Sequence, residues 1–365
     1  MTAVPTSVTT SFGLVGLGKM GANMARRMAL GGVRAALFDQ SAEVTNALAA
    51  EINAPAAASL AKLVERVAGP RVIWLMLPAG DVTERAIGTL APLLSEGDVI
   101  VDGANSFYKD SVRRAAMLKR NGLLYVDAGV SGGVHGLANG YCLMVGGEEE
   151  AVARIKPYLR LLAPQRSAAA GVPGGSWEGI PGGGSGGAPG RTPGGTPGGA
   201  AAAMADPVAE GSGAAGWLHA GAAGAGHFVK MVHNGIEYGM MQALAEGFAL
   251  MGAKREFDLD LAAVGELWKH GSVVRSWLLD LTADALKADA TLDGIKPFVP
   301  DSGEGRWTAI EAVELGVPAP VMSLALMMRY ATQGNNDYAA KLLAKMRQGF
   351  GGHAVATHTD GAPLA

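Results

Sequence analysis

The chain has 365 residues, and its 30 Lys and Arg residues nearly balance 33 Asp and Glu residues, giving a formal net charge of −3. This length allows two or three domains with a large core. The near-neutral charge and the lack of a basic run exclude a surface dedicated to nucleic acid or anionic membrane. The single Cys142 excludes an intramolecular disulfide framework, and its apolar neighbours predict that it packs inside a strand.

The first residues, MTAVPTSVTTSFG, lack the basic start and the apolar run of a secretory signal. No stretch reaches the roughly 18 apolar residues that a membrane-spanning helix needs. We therefore expect a soluble, cytoplasmic protein.

Residues 12–146 alternate short apolar runs with amphipathic stretches such as 22–30 and 59–67. This alternation predicts a parallel, doubly wound α/β domain of the Rossmann-like type. The predicted strands are 12–16, 35–39, 72–77, 99–102, 124–127 and 141–145.

The composition changes abruptly after this region, because residues 171–200 contain 14 Gly and 5 Pro without a collagen period. Such a segment buries too little apolar surface to offset its ordering entropy, which predicts a disordered insertion over 165–214. From residue 226 onward, apolar residues recur at helical steps, namely Val229, Val232, Ile236, Met240 and Ala243. The predicted domains are thus a dinucleotide-binding domain (1–164), the insertion (165–214) and an all-helical substrate and oligomerisation domain (215–365).

A glycine-rich turn joins the first predicted strand to the first helix. The segment GLVGLGKMG has the spacing Gly16-x-Gly18-x-x-Gly21, and Lys19 and Met20 within it are further candidate cofactor-binding residues. Glycines at this spacing permit a tight turn and close approach of a pyrophosphate, which the helix N-terminus stabilises. The turn predicts dinucleotide binding.

The second predicted strand ends at Asp39, which lies 18 residues after Gly21. A carboxylate there can accept hydrogen bonds from the adenosine ribose and would repel a 2′-phosphate. Arg34 lies at the opposite end of the strand, about 16 Å away. NAD is therefore preferred to NADP, although an Asp in an ordinary turn is the alternative interpretation.

Three further segments follow predicted strands, where ligands bind in such sheets. They are LPAG, with Leu77, Pro78 and Ala79; DGANS, with Asn105; and GVSGG, with Ser131, Gly132 and Gly133. Asn105 can donate its amide to a carboxamide or hydroxyl, and the Ser131 turn suits a carboxylate. Each segment alone could be only a turn, but their shared position favours a site.

The segment KMVHNGIEYG places several polar side chains on one helical face, namely Lys230, His233, Asn234, Glu237, Tyr238 and Met241. Lys230 and Glu237 are separated by about 10 Å along the helix axis, so both can reach one small substrate. A solvated charged face is the alternative, but it does not explain the Asn and Tyr beside them.

Together, GLVGLGKMGANM, DGANS, GVSGG, GAGHFVKMVHNGIEYG and FGGH resemble the decarboxylating 6-phosphogluconate dehydrogenase family, in particular its short, often NAD-linked bacterial form. The resemblance implies oxidative decarboxylation of 6-phosphogluconate to ribulose 5-phosphate and CO2, in the pentose phosphate pathway or gluconate catabolism. It implies Lys230 as general base and Glu237 as general acid. His233 and Asn234 would orient hydroxyls, while Asn105 and Ser131-Gly132-Gly133 would hold the carboxylate end, with no metal required.

The resemblance also implies ligands for the substrate phosphate. Tyr238 and Arg329 match family positions, as do Arg347 and His353 in a tail that enters the neighbouring subunit of a homodimer or homotetramer. The segment DSGEGRWT departs from the family because a lysine is missing, so Arg306 becomes a further candidate cation. His135 also stands where another residue is usual, and no role follows for it.

Two other functions compete with this one. A non-decarboxylating β-hydroxyacid dehydrogenase, of the 3-hydroxyisobutyrate or tartronate semialdehyde type, would share the turn, the lysine and the asparagine. It would need neither Glu237 nor phosphate ligands. A nucleotide-sensing binding module would leave the Lys230 face unexplained.

Overall fold

The computed structural model describes residues 10–164, 213–351 and 355. The chain forms two compact units, one built from Met1–Ala104 and Arg113–Gly226 and the other from Asn105–Val112 and His227–Ala365. The predicted insertion at 165–214 lies outside the described residues except for its last two positions, and His353 lies outside them as well.

The first unit contains a seven-stranded sheet with the order β2-β1-β3-β4-β5-β6-β7. Its strands are β1 (Thr10–Val15), β2 (Ala36–Phe38), β3 (Val67–Leu75), β4 (Val99–Asp102), β5 (Leu124–Ser131), β6 (Cys142–Gly147) and β7 (Trp217–Gly221). All neighbouring strands are parallel except β5 and β6. The strand order reverses at β1, and in such sheets ligands bind beyond the carboxyl ends of the strands at this point. The predicted Rossmann-like fold class is confirmed.

Both faces of this sheet are buried, which explains why its central strands contain runs of consecutive apolar residues. Along β3, Trp74 packs in one apolar cluster and its neighbours Ile73 and Leu75 pack in another. Strand β4 follows the same rule, with Val101 on the first side and Ile100 on the second. The sheet therefore has a separate core on each face.

Two of the helices around the sheet begin at serine N-caps, which are visible in the sequence. Ser41 and Ser59 cap these helices by accepting the backbone N–H of Val44 and Lys62. Within the described residues, the helices around the sheet are α1 (Lys19–Leu30), α2 (Ala42–Glu51), α3 (Leu60–Glu65), α4 (Asp81–Leu90), α5 (Tyr108–Lys119), α6 (Gly136–Asn139) and α7 (Glu149–Leu162).

Three features of the first unit differ from the sequence expectation. Strand β6 is antiparallel to β5, and β7 was not predicted because its Gly- and Ala-rich surroundings hide a short strand. Cys142 was predicted to be buried, but it is exposed. It is the first residue of β6 and lies at the end of the strand. The residues further along, such as Leu143 and Val145, are buried.

The second unit is helical, as predicted from the sequence. Its helices are α8 (Ala225–Ala253), α9 (Leu261–Trp268), α10 (Trp277–Ala288), α11 (Glu304–Glu314), α12 (Pro320–Thr332) and α13 (Asp337–Gly351). The helices described here include none that is long and apolar enough to cross a membrane.

Helix α8 has an inverted pattern of burial. Its polar residues Lys230 and Asn234 are only 7% and 8% exposed. Its apolar residues Ile236 and Met240, in contrast, are 51% and 43% exposed. An amphipathic helix of a single folded chain normally does the reverse. Lys230 and Asn234 on the polar face of α8 therefore belong to the interior of the unit, whereas the apolar face is largely uncovered by the described residues.

Candidate active site

Two glycines of the turn after β1 cannot carry a side chain. Gly16 has a φ of +89°, and an added Cβ would lie 2.4 Å from the Met76 carbonyl oxygen. A Cβ on Gly21 would lie 2.0 Å from the Gly16 carbonyl oxygen. Gly18 instead faces open space and precedes α1 without a side-chain cap. The N-terminus of α1, where Lys19 and Met20 lie, is thus open to an anionic ligand such as a pyrophosphate.

The Asp39 carboxylate is fixed beside this turn. Its Oδ2 accepts the backbone N–H of Leu17 at 2.8 Å, and its Oδ1 accepts that of Ser41 at 2.9 Å. Each oxygen retains a further lone pair for a ligand hydroxyl. Arg34 is engaged elsewhere, because its Nε donates to the Asn53 carbonyl oxygen at 2.9 Å. Asp39 therefore shapes the turn and can also contact a ribose.

The segment after β3 leads directly into α4. Leu77 lies against the glycine turn, where its Cδ2 would be 2.9 Å from a Cβ on Gly16. Pro78 is held by Thr83, whose Oγ1 donates to the Pro78 carbonyl oxygen at 2.8 Å. Ala79 is exposed. The segment thus forms one wall beside the predicted dinucleotide turn.

Strand β5 ends at Ser131, and Gly132 and Gly133 turn the chain towards α6. This turn is tied to α1 because Asn23 Nδ2 donates to the Val134 carbonyl oxygen at 3.1 Å. His135 lies in the same turn and is exposed. The glycines and Ser131 are therefore held by the helix that begins at the dinucleotide turn.

In the helical unit, the four predicted catalytic residues lie together on α8, and three of them, Lys230, His233 and Asn234, are linked by hydrogen bonds. Lys230 Nζ donates to Asn234 Oδ1 at 2.5 Å. His233 Nδ1 lies 3.3 Å from the same oxygen and 3.9 Å from Glu237 Oε2. Lys230 and Asn234 are buried, whereas the Glu237 side chain is 39% exposed. The group thus combines a buried amine with a carboxyl that water or a ligand can reach.

Tyr238 of α8 and Arg329 of α12 form a second cluster. The Arg329 guanidinium carbon lies 3.4 Å from the centre of the Tyr238 ring. Its Nη1 donates to the Pro300 carbonyl oxygen at 3.1 Å, and the Tyr238 hydroxyl lies 3.4 Å from Ser302 Oγ. No carboxylate pairs with Arg329 within the part of the chain that is described. Its charge is therefore available to an anion.

The other predicted phosphate ligands are less favourably placed. Arg306 Nε lies 3.2 Å from Asp301 Oδ2, so its charge is already neutralised. Arg347 is exposed on α13, and His353 lies outside the described residues. The structure thus brings together Tyr238 and Arg329 but joins neither to Arg347.

One buried carboxylate was missed by the sequence reasoning. Glu304 accepts hydrogen bonds from Asn105 Nδ2 and from Ser302 Oγ, the latter at 2.6 Å. Asn105 and Glu304 are 199 positions apart, so no local pattern reveals the contact. An acidic residue in the departing segment DSGEGRWT was the available signal. A group of three or more His, Cys, Asp or Glu side chains able to hold a metal was not found within the described ranges.

Comparison with known proteins agrees with these features. Residues 11–171 match the NAD-binding domain of 6-phosphogluconate dehydrogenase, and residues 226–360 match the C-terminal domain of 6-phosphogluconate dehydrogenase. An NAD(+)-dependent, decarboxylating 6-phosphogluconate dehydrogenase of Haloferax volcanii is 36% identical over 349 residues, covering 95% of this chain and 99% of the relative.

Two solved structures show how far the fold extends. Plasmodium falciparum 6-phosphogluconate dehydrogenase superposes with a TM-score of 0.70 at 26% identity, covering 96% of this chain and 67% of the other. A Mycobacterium tuberculosis 3-hydroxyisobutyrate dehydrogenase superposes with a TM-score of 0.60. It is 22% identical and covers 90% of this chain and 94% of its own, so it shows the shared fold alone.

The two matched domains place the chain among the oxidoreductases that bind a nicotinamide dinucleotide. The matches to both domains of 6-phosphogluconate dehydrogenase, together with the Haloferax relative, identify the family within this class of enzymes. The chain belongs to the 6-phosphogluconate dehydrogenase family.

Proposed function

We propose that the chain oxidises and decarboxylates 6-phosphogluconate to ribulose 5-phosphate and CO2, with NAD as the hydride acceptor. The observation that carries the proposal is the group on α8, in which a buried lysine is bonded to an asparagine and a reachable glutamate lies two turns away. This group provides a base and an acid for two successive proton transfers.

In the first step, Lys230 accepts the proton of the 3-hydroxyl while C3 is oxidised to a ketone. Bound NAD supplies the hydride-accepting chemistry for this oxidation. A lysine can act as a base only in its neutral form, and burial disfavours the charged form of an amine. Asn234 orients Lys230 through its Oδ1 and leaves its own amide N–H groups for the substrate.

In the second step, the bond between C1 and C2 of the β-keto acid breaks and CO2 leaves. The electron pair of that bond forms an enediol, and protonated Lys230 stabilises its developing oxygen charge. Glu237 then donates a proton to the carbon that becomes C1 of ribulose 5-phosphate. The exposure of Glu237 allows it to regain a proton from solvent.

The substrate ends would be held by two sets of groups. The turn Ser131-Gly132-Gly133 suits the carboxylate end, whereas Asn105, whose amide NH2 bonds to Glu304, suits a hydroxyl beside it. Tyr238 and Arg329 suit the phosphate, because the guanidinium stacks on the ring and has no carboxylate partner in the described structure. The missing family lysine makes Arg329 the main cation that this chain itself provides.

The cofactor is NAD in preference to NADP. The glycine turn suits a pyrophosphate, because Gly16 and Gly21 allow close backbone packing and Gly18 leaves open space at the start of α1. The Asp39 carboxylate beside it favours ribose hydroxyls and opposes a 2′-phosphate.

The active form is a homo-oligomer, either a dimer or a tetramer. The apolar face of α8 is exposed in the single chain, and so are large residues elsewhere in the helical unit, such as Val313 at 81% and Leu250 at 75%. Exposed apolar surface of this kind marks an interface, and a second copy of this chain is its proposed occupant. The tail with Arg347 and His353 would complete the neighbouring site.

A non-decarboxylating β-hydroxyacid dehydrogenase is the second candidate, favoured only by the shared Lys230 and Asn234 pair. The two functions separate in one assay of the purified protein with NAD and 6-phosphogluconate, in which NADH and CO2 are followed together. Equal amounts of both products support the proposed function. NADH without CO2 supports the alternative. If neither NADH nor CO2 forms, both functions are refuted.

A further inference from the structure

One stripe of helix α11 holds the segment that begins at Asn105. Glu304 bonds to Asn105, and the Trp307 ring lies 5.2 Å from the Phe107 ring. Lys109 Nζ lies 3.4 Å from Glu311 Oε2 and also pairs with Glu314. The α11 side chains follow steps of three and four residues, so they share one face over about 15 Å of helix.

Glu304, like Glu311 of the same stripe, is buried. It is 4% exposed, and both of its oxygens accept hydrogen bonds, one from Asn105 and one from Ser302. Glu314, at the other end, has a side chain that is 51% exposed. Burying a carboxylate raises the free energy of the folded state unless hydrogen bonds replace its lost hydration. Loss of either hydrogen bond to Glu304 would therefore destabilise the fold.

The contact also determines which way the Asn105 amide points. An ionised carboxylate only accepts hydrogen bonds, so the NH2 group of Asn105 must face Glu304. The Oδ1 atom then faces away from Glu304, and Asn105 itself is exposed. The Oδ1 atom of Asn105 can therefore accept a hydrogen bond from a ligand. The sequence had suggested that Asn105 would instead donate one.

We infer that Glu304 is a positioning residue that acts through Asn105. It fixes the amide so that Oδ1 accepts from a donor on the bound ligand, either a hydroxyl of the sugar acid or the carboxamide N–H of the nicotinamide. The inference rests on the proposed function for the identity of these ligands. Glu304 touches neither ligand in this scheme.

The test uses four variants of the full chain: Glu304→Gln, Asn105→Asp, the double variant Asn105→Asp/Glu304→Gln, and Glu314→Gln as a control on the same helix face. In Glu304→Gln, the new amide can donate or accept, so the Asn105 amide loses its fixed direction. Asn105→Asp places two carboxylates together, because Glu304 is unchanged. In the double variant, the amide introduced at position 304 donates to the carboxylate introduced at position 105, and an acceptor oxygen faces the ligand again.

We expect kcat/KM to fall at least about tenfold in Glu304→Gln and further in Asn105→Asp, and to recover at least about tenfold from Asn105→Asp to the double variant. Glu314→Gln should stay within about twofold of the wild type. Recovery in the double variant cannot come from a folding defect, because that variant carries both changes. Failure of the double variant to improve on Asn105→Asp would overturn the inference.

Binding titrations of the same variants identify the ligand group. If affinity for 6-phosphogluconate alone falls, Oδ1 accepts from the substrate; if affinity for NADH alone falls, it accepts from the carboxamide. Unchanged affinity for both, together with unchanged kcat, would overturn the inference. A wild type that makes no product would refute the proposed function, while NADH titrations would still report on the Asn105 and Glu304 pair.

Discussion

Lys230 and Asn234 lie one turn apart on α8, both buried, and the lysine Nζ donates to the asparagine Oδ1 over 2.5 Å. An amide oxygen stabilises the ammonium form less than a carboxylate would, because it carries no net charge. An Asp at position 234 would therefore favour the charged form of the lysine more than the Asn does.

Asn234→Asp tests this relationship. The new carboxylate should raise the pKa of Lys230, so the lysine stays protonated until higher pH and cannot act as a base. We expect the rising limb of kcat/KM against pH to move up by at least about one pH unit, since an opposite charge within about 4–6 Å shifts a pKa by 1–3 units. Asn234→Ala, which adds no charge, should not move the limb upward. A limb at the same pH in Asn234→Asp and wild type would exclude Lys230 as the titrating base.

Lys230→Met and Glu237→Gln should fail in different ways. Without Lys230, no base serves the oxidation, and NADH formation should fall by orders of magnitude. Without Glu237, oxidation should continue in part, while incorporation of solvent deuterium at C1 of ribulose 5-phosphate drops sharply. Glu246→Gln on the same helix is the control and should change neither quantity. Incorporation at the wild-type rate in Glu237→Gln would make Glu237 a structural residue.

Asp39→Ala with Gln40→Arg should shift the cofactor preference toward NADP. The change removes a carboxylate that opposes the 2′-phosphate and adds a cation beside it. The wild type should favour NAD at least about tenfold in kcat/KM, roughly 1.4 kcal/mol.

Asp39 also holds two backbone N–H groups, so Asp39→Asn serves as a control that keeps an acceptor. That variant should lose discrimination without the reversal seen in the double change. Equal kcat/KM for both cofactors in the wild type would refute the role of Asp39.

Mixed oligomers test whether the tail completes a neighbouring site. Lys230→Met and Arg347→Ala homo-oligomers should each be poorly active. When the two variants are denatured and refolded together, some sites receive an intact Lys230 from one subunit and an intact Arg347 from the other. Activity well above the sum of the separate variants is expected, with light scattering to give the oligomeric mass. Strictly additive activity would show that Arg347 does not act across subunits.

Glu84 makes a pH-dependent contribution to stability in the first unit. Hydrogen bonding to Arg113, together with Arg114, lowers the pKa of Glu84 to about 2. A carboxyl whose pKa is lower in the folded state stabilises that state above its unfolded pKa, and this contribution disappears as the pH falls from about 4.5 to about 2.

Glu84→Gln should therefore lower the free energy of unfolding at pH 7 and have progressively less effect between pH 4.5 and 3, as measured in urea. Glu65→Gln is the matched control, because Glu65 pairs with Lys62 in an exposed ion pair whose side chains are each 59% exposed. Such pairs contribute little to stability. A Glu84→Gln effect that is the same at pH 7 and pH 3 would exclude the ion pairs as its cause.

The fold class could be read from the sequence where periodicity is regular. The alternation of apolar runs predicted six of the seven strands, and β4 has the predicted bounds, Val99–Asp102. Strand β7 was missed because five residues among glycines and alanines carry no clear pattern. The antiparallel direction of β6 also could not be predicted, because strand direction depends on the path of the connection and not on the strand's own residues.

By itself, the sequence determined which groups on α8 lie together, because helical spacing places Lys230, Asn234 and Glu237 on one face at fixed distances. It also determined the glycine turn, where backbone geometry admits no other residue at Gly16. Only the tertiary structure decided that Lys230 and Asn234 on α8 are buried, while Ile236 and Met240 are exposed. Only the tertiary structure joined Glu304 to Asn105 across 199 positions. Contacts between distant segments depend on how whole elements pack, and no local pattern of residue types encodes that packing.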